Sequence, residues 1–342
     1  MNRLCLLLIV VIVSRIALGA PVRLVFDTDM GNDIDDGIAL AMLHAFESRG
    51  EVKLLAITVT KDNPEAASFI DLVDTFYGHG SIPVGVVKGG KTPNASKILS
   101  AAVEKKTAAG RFVYPRHIQD GREAPDATVL LRRILSSEPD DSVVFVQVGF
   151  STNLARLLDS EPDGISPLSG KELVARKARL LSIMAGHYPT GDPEYNVKTD
   201  LPASRKVFGE WPTPIIASGW EVGATILYPA TSIERDFSYV ENHPIVDGYR
   251  AYKKMPYDRP CWDPTAVLYA VRPDGGYFSL SQAGRITLDS EGRTRFTLDS
   301  TGKHRYLIVN DIQRARVREV VVDLASQPPS QRIVEHHEKV DQ

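Results

Sequence analysis

Between Asp27 and Asp36 the chain reads DTDMGNDIDD, five carboxylates within ten residues. Carboxylates this close repel one another unless something cationic sits among them, so the pattern points to a cation site, to acid–base chemistry, or to both. Helix-capping aspartates in a solvated turn account for one or two such residues, but not for five. An EF-hand loop begun at Asp27 fails on spacing. Its fifth position would be Gly31 and its twelfth Ile38, where an oxygen ligand and a Glu are needed. A phosphatase opening with Asp-x-Asp would want Thr or Ser soon after the second Asp, and Met30-Gly31 supplies neither. Hard oxygen donors without nearby His or Cys suit calcium better than zinc.

The cluster must be positioned by its flanks. Arg23–Asp27 (RLVFD) reads as a buried strand, and Ile38, Met42, Ala45 and Phe46 form a helical stripe closed by Gly50. The carboxylates thus sit where a first strand ends and a first helix begins, which is where open α/β sheets bind ligands. Further apolar runs at Val52–Thr60, Ile82–Val87, Ser142–Gly149, Ala178–Ala185 and Pro214–Ser218 read as buried strands. A second helix is announced by Asn63-Pro64-Glu65, a cap followed by Pro, and stopped by Gly78. This βαβα order predicts an α/β fold with an open, mostly parallel, doubly wound (Rossmann-like) sheet flanked by helices. From about 275 to 310 short strands broken by turns predict appended antiparallel hairpins, followed by a helix around Ile312–Leu324 and a frayed tail from about Ser330.

The rest of the composition is ordinary. Over 342 residues, 43% hydrophobic and 24% charged content with 25 Gly and 22 Pro is globular, not low-complexity. A net charge of −3 provides no basic field for nucleic acid, so a small molecule is the expected partner. Residues 1–20 combine Arg3, an apolar run from Leu4 to Val13 and small residues near the end, the pattern of a secretory signal peptide cleaved after Gly19 or Ala20. The run is too short to span a bilayer, so an exported, periplasmic or extracellular protein free of the membrane is expected, with an uncleaved anchor as the alternative. Cleavage would remove Arg3, Arg15 and Cys5, lowering the net charge by two to −5 and leaving Cys261 without a disulfide partner. Cys261 then reads as a buried bystander rather than a nucleophile. No repeat or linker divides residues 21–342, which read as one catalytic domain.

DTDMGNDIDDGIAL is similar to the N-terminal fingerprint of the nucleoside hydrolase family (inosine–uridine preferring nucleoside N-ribohydrolases), usually DTDPGxDDAxAL. Ile57–Asn63 (ITVTKDN) resembles the family's ITTVxGN, Gly149–Ala155 (GFSTNLA) its GPLTNLA, Glu194–Asn196 (EYN) its EFN, and Trp262-Asp263 its C-terminal His-Asp. The resemblance implies calcium-dependent cleavage of ribonucleosides to ribose and free base, by a homodimer or homotetramer. It implies that Asp29 is both calcium ligand and general base, that Asp36 and Asp263 are further ligands, and that the Val148 carbonyl completes the set. Asp35 and Asn196 would hold ribose hydroxyls, Asn63 and Glu194 would line the sugar site, and Asp27 would orient the cluster from behind. Two residues are inserted before Asp35-Asp36, which leaves Asp33 as ligand, supporting group or exposed side chain.

Two departures matter. Trp262 replaces the family's common leaving-group acid, and an indole cannot act as that acid. Purine-specific members stack a Trp there, so the substitution favours purine nucleosides, against the alternative of a mere packing residue. The stretch before Glu194 also lacks the family's Asn for the ribose 5′-hydroxyl, leaving His187 or Tyr188 as candidates. His79, His117 and His243 lie by Gly or Pro turns and are expected at the surface, with His117 a candidate for a loop over the site. Two other functions stay open: hydrolysis of a different N-ribosyl compound, and non-catalytic binding of ribose or a nucleoside by an exported protein. The intact Asp29, Asp36 and Asp263 argue against the second.

Overall fold

Alternate residues of each central strand feed opposite faces of one sheet, which is why these strands are apolar without interruption. In β1 (Val22–Thr28), Leu24 and Phe26 enter one core and Val25 the other. The computed structural model describes residues 19–330, so all but the last two residues of the stretch 1–20, expected to be a signal peptide, and the tail from 331 lie outside the described residues. The other central strands are β2 (Val52–Lys61), β3 (Val84–Lys91), β4 (Val143–Gln147), β5 (Ala178–Met184) and β6 (Ile215–Ser218). All pair in parallel in the order β3-β2-β1-β4-β5-β6, so the chain reverses its winding direction between β1 and β4. That reversal opens a crevice at the carboxyl ends of the two strands.

Helices cover both faces. On one side lie α1 (Asp35–Ser48), α2 (Pro64–Phe76) and the helices Trp262–Val271 and Asp311–Ala325. The other is covered by Ala127–Ser137, Thr152–Asp159, Gly170–Lys177 and Leu201–Glu210. The C-terminal strands Gly284–Leu288 and Thr294–Leu298 form the expected antiparallel hairpin. His304–Ile308 joins the main sheet in parallel beside β6, so the appended region extends the sheet rather than standing apart from it. Among the described residues no helix is long and apolar enough to cross a membrane.

Of the histidines expected at the surface, His243 is buried and His79 half-buried. His243 is 3% exposed, ringed by Phe76, Tyr77, Phe237 and Tyr239, and its Nδ1 accepts the Ile245 amide as a helix cap. Burial pushes its pKa down to about 3. Below about pH 6.5 the unfolded chain therefore takes up a proton that the folded chain refuses, so this residue makes stability fall as pH drops from 6.5 towards 3. The slope should reach about 1.4 kcal/mol per pH unit. Denaturant unfolding of His243→Phe between pH 7 and 5 should show a flatter pH dependence than wild type; equal slopes would refute the assignment.

Candidate active site

The carboxylate loop is held open by two backbone requirements. Gly31 takes a left-handed φ of 100°, against the Leu99 side chain. A Cβ on Gly149, just after β4, would lie 2.5 Å from the Asp29 nitrogen and 2.7 Å from the Thr28 carbonyl carbon. The glycine therefore lets the end of β4 press against the loop that carries Asp29.

Asp35 and Asp36 occupy the first turn of α1, and Asp263 the first turn of the Trp262–Val271 helix, so both helix dipoles favour negative charge there. The two helix starts are tied together by Asp35, whose Oδ2 accepts the amides of Trp262 (3.1 Å) and Asp263 (3.2 Å). Carboxylate oxygens of Asp35, Asp36 and Asp263 lie within 4.8 Å of one another. Asp29 faces the same cleft, with its Oδ2 accepting from Asn32 Nδ2 at 2.8 Å. Asn32 is held in turn by Lys61 Nζ at 2.9 Å, which places a cation one hydrogen-bond step behind Asp29.

Burial pushes Asp29 up to about 6, although the Asn32 hydrogen bond pulls it back, and burial pushes Asp35 up to about 7. Asp36 and Asp263 are driven well above the carboxylate range by burial and by the neighbouring aspartates. Asp36 Oδ1 accepts from Thr28 Oγ1, while its Oδ2 is buried without a partner. Mutually repelling buried carboxylates with an orphaned oxygen fit a divalent cation, and the all-oxygen donor set fits a hard one. Asp27 stands behind this group. Its Oδ1 accepts from Thr58 Oγ1 (2.5 Å) and Asn153 Nδ2 (2.8 Å), and burial pushes its pKa up to about 7.

The cleft has a volume of about 390 Å³ and is lined by the carboxylates together with Val148, Met184, Glu194 and Asn196. Asn196 commits its Nδ2 to the carbonyls of Val148 (2.6 Å) and Met184 (3.2 Å), which turns its Oδ1 acceptor to the cleft. Glu194 caps the short helix Tyr195–Thr199 by accepting the amides of Asn196 and Val197, and burial pushes it up to about 7.

Asn63 is not brought in. Its Oδ1 accepts the Glu65 amide at 2.9 Å and its Nδ2 donates to Asn94 O, so the residue spends its side chain capping α2. Neither His187 nor Tyr188 lines the cleft: His187 lies 5.3 Å from the Trp220 ring, and Tyr188 is buried in a stack on Tyr306. The exposed His117 bonds to Asp71 away from the cleft. Asp33 lines the rim in an ion pair with Arg259, and is thereby neutralised. Cys261 is fully buried, and burial pushes its thiol up, as a bystander requires.

Sequence reading missed the upper walls. Trp220, Tyr195, Tyr252 and Arg259 line the cleft with Trp262. The Trp220 and Trp262 ring centroids are 6.4 Å apart, and the Trp262 indole donates to the Trp220 carbonyl at 3.0 Å. The Arg259 guanidinium sits 5.0 Å from the Trp262 ring centre and 4.9 Å from that of Tyr252. Of these, Tyr195 left a local signal, as the middle residue of the Glu194–Asn196 motif.

A model of the family described as inosine-uridine preferring nucleoside hydrolase matches residues 24–338. The chain belongs to that family. Solved nucleoside hydrolases share its fold at low identity. A plant nucleoside hydrolase is 16% identical with a TM-score of 0.67, over 90% of this chain and 100% of that one. The purine-preferring ribonucleoside hydrolase from Gardnerella vaginalis is 17% identical with a TM-score of 0.65, over 89% and 99%. A type III effector protein, XopQ, complexed with adenosine diphosphate ribose, is 14% identical with a TM-score of 0.60, over 90% and 93%. None of the curated protein sequences matches. As a nucleoside hydrolase, the chain is an N-ribohydrolase whose acidic groups at the cleft floor could hold the family's metal.

Proposed function

We propose that this nucleoside hydrolase is exported and uses calcium to cleave ribonucleosides, purine ones preferentially, to ribose and free base. The observation that carries the reading is the pairing of a carboxylate floor, Asp29, Asp35, Asp36 and Asp263, with an aromatic wall formed by Trp220 and Trp262. A cleft of about 390 Å³ falls within the roughly 300–1,000 Å³ usual for small-molecule sites. Asp29, Asp36, Asp263 and the Val148 carbonyl would hold the ion. When bound, calcium supplies charge that acidifies water and fixes ribose hydroxyls.

The remaining work falls to the chain. Cleaving an N-glycosidic bond passes through an oxocarbenium-like state, so the sugar must be gripped while water is activated beneath it. Asp29 is the base: with Oδ2 held by Asn32, its other oxygen takes the proton of the attacking water. Asn196 Oδ1 and Asp35 accept from ribose hydroxyls, and Glu194 shapes the sugar site. No histidine lines the cleft among the described residues. Burial raises the Tyr195 and Tyr252 hydroxyls and pushes Arg259 down only to about 10, so none of the three is a ready acid at neutral pH. Stacking on Trp262 instead makes a purine easier to protonate from solvent.

The test is reducing-sugar release from inosine, adenosine, guanosine, uridine and nicotinamide riboside, with and without chelator. Purines should lead. Trp262→Ala should lower purine turnover about 10-fold, the scale of about 1.4 kcal/mol that an aromatic pair contributes, and leave uridine nearly unchanged. Equal rates on uridine and inosine, both indifferent to Trp262→Ala, would refute purine stacking. Turnover of nicotinamide riboside alone would favour a different N-ribosyl substrate.

A further inference from the structure

A second cluster of ligand-type side chains lies outside the cleft. His44 and Glu47 are one turn apart on α1, and His79 follows the end of α2. One ring nitrogen from each histidine and one Glu47 oxygen all lie within 4.8 Å of one another. We propose that His44, Glu47 and His79 form a second divalent-metal site, of the nitrogen-plus-carboxylate kind that zinc takes, pinning the far end of α1 to the turn after α2.

The polar atoms here are otherwise unexplained. His44 is fully buried, and its Nε2 lies 2.8 Å from Asp74 Oδ1 while its Nδ1 has no partner. In the tautomer whose Nε2 donates to Asp74, Nδ1 carries the lone pair, the arrangement in which a carboxylate fixes the tautomer of a metal-binding histidine. His79 Nε2 and Glu47 Oε2 are likewise buried without hydrogen-bond partners, the nearest approach being His79 Nδ1 to Glu47 Oε2 at 3.4 Å. Four buried polar atoms left unpaired, if Asp74 Oδ2 is included, are hard to reconcile with an apolar core unless something bridges them. The two imidazoles stack with 5.3 Å between centroids and 7° between planes, and because a ring-nitrogen lone pair lies in its ring plane, the part-exposed His79 ring must turn for both to meet one ion.

Burial holds both histidines near pKa 4, so they are neutral, as ligands must be, at neutral pH. Two imidazoles and a carboxylate suit zinc, whereas calcium and magnesium favour oxygen. The His79 and Glu47 side chains are 23% and 18% exposed, giving an ion a way in. None of the three residues lines the catalytic cleft, and nucleoside hydrolysis makes no use of them. The role is structural: α1 carries Asp35 and Asp36 at its other end.

The experiment uses untagged full-length protein, stripped with chelator, dialysed and then saturated with calcium. Titration with Co2+ should give one equivalent of the intense visible absorption of a four-coordinate ion, displaced by Zn2+, and Zn2+ should raise Tm. His79→Ala and Glu47→Gln alter part-exposed side chains and should fold, yet lose both the band and the thermal shift. His117→Ala, at an exposed histidine, should keep both. Absence of the band in wild type, or its survival in both variants, would overturn the proposal.

Discussion

Replacing Asp29 by Ala should lower kcat by about 10²–10⁴, equivalent to about 2.7–5.4 kcal/mol of transition-state stabilisation. Asp29 faces the cleft beside the Asp35, Asp36 and Asp263 group. Its Oδ2 is fixed by Asn32, itself fixed by Lys61, so the carboxylate is aimed before substrate arrives. Burial pushes its pKa up to about 6, the direction that makes a carboxylate a better proton acceptor. Asp29→Asn separates the roles further, because an amide keeps an acceptor oxygen for Asn32 but cannot take the proton. Both variants should retain the wild-type far-UV circular dichroism. Single-turnover release of ribose is the measurement, and near-normal turnover in either variant would remove Asp29 from the base role.

Withdrawing the cation should abolish turnover and lower Tm together. Asp29, Asp35, Asp36 and Asp263 are each at most 5% exposed, and each is driven upward in pKa chiefly by burial. An ion bound only by the folded chain stabilises it by about 2.7 kcal/mol when free ion is 100 times Kd. Chelator treatment followed by calcorimetric scanning should therefore show a Tm several degrees lower. Calcium alone should restore both activity and Tm. Magnesium at equal concentration should restore less, because it demands a smaller, near-octahedral shell and dehydrates reluctantly. His79→Ala should leave calcium's effect intact, which separates this site from the histidine cluster. Full activity and unchanged Tm in chelator would refute a cation at the carboxylates.

Element order was legible because its signals are local. Continuous apolar runs marked all six central strands to within a few residues, and Asn63-Pro64 marked the start of α2 correctly. The same Asn63 shows the limit: its motif match placed it in the sugar site, yet the capping geometry that makes it a good helix start consumes its side chain. His243 departs from its expected surface position for a related reason. A Pro after it signals a turn, but the aromatic residues that bury it come from α2 and from Phe237 and Tyr239.

By itself, the sequence determined an α/β chain with a parallel sheet and a knot of aspartates at the end of its first strand, because periodicity and charge density are properties of neighbouring residues. Tertiary structure decided which of those aspartates meet. Asp35 reaches across 228 positions to the Asp263 amide, Arg259 neutralises Asp33, and Trp220 comes to face Trp262. Contacts of that range depend on sheet register and on where each helix begins, and no short window of sequence contains them.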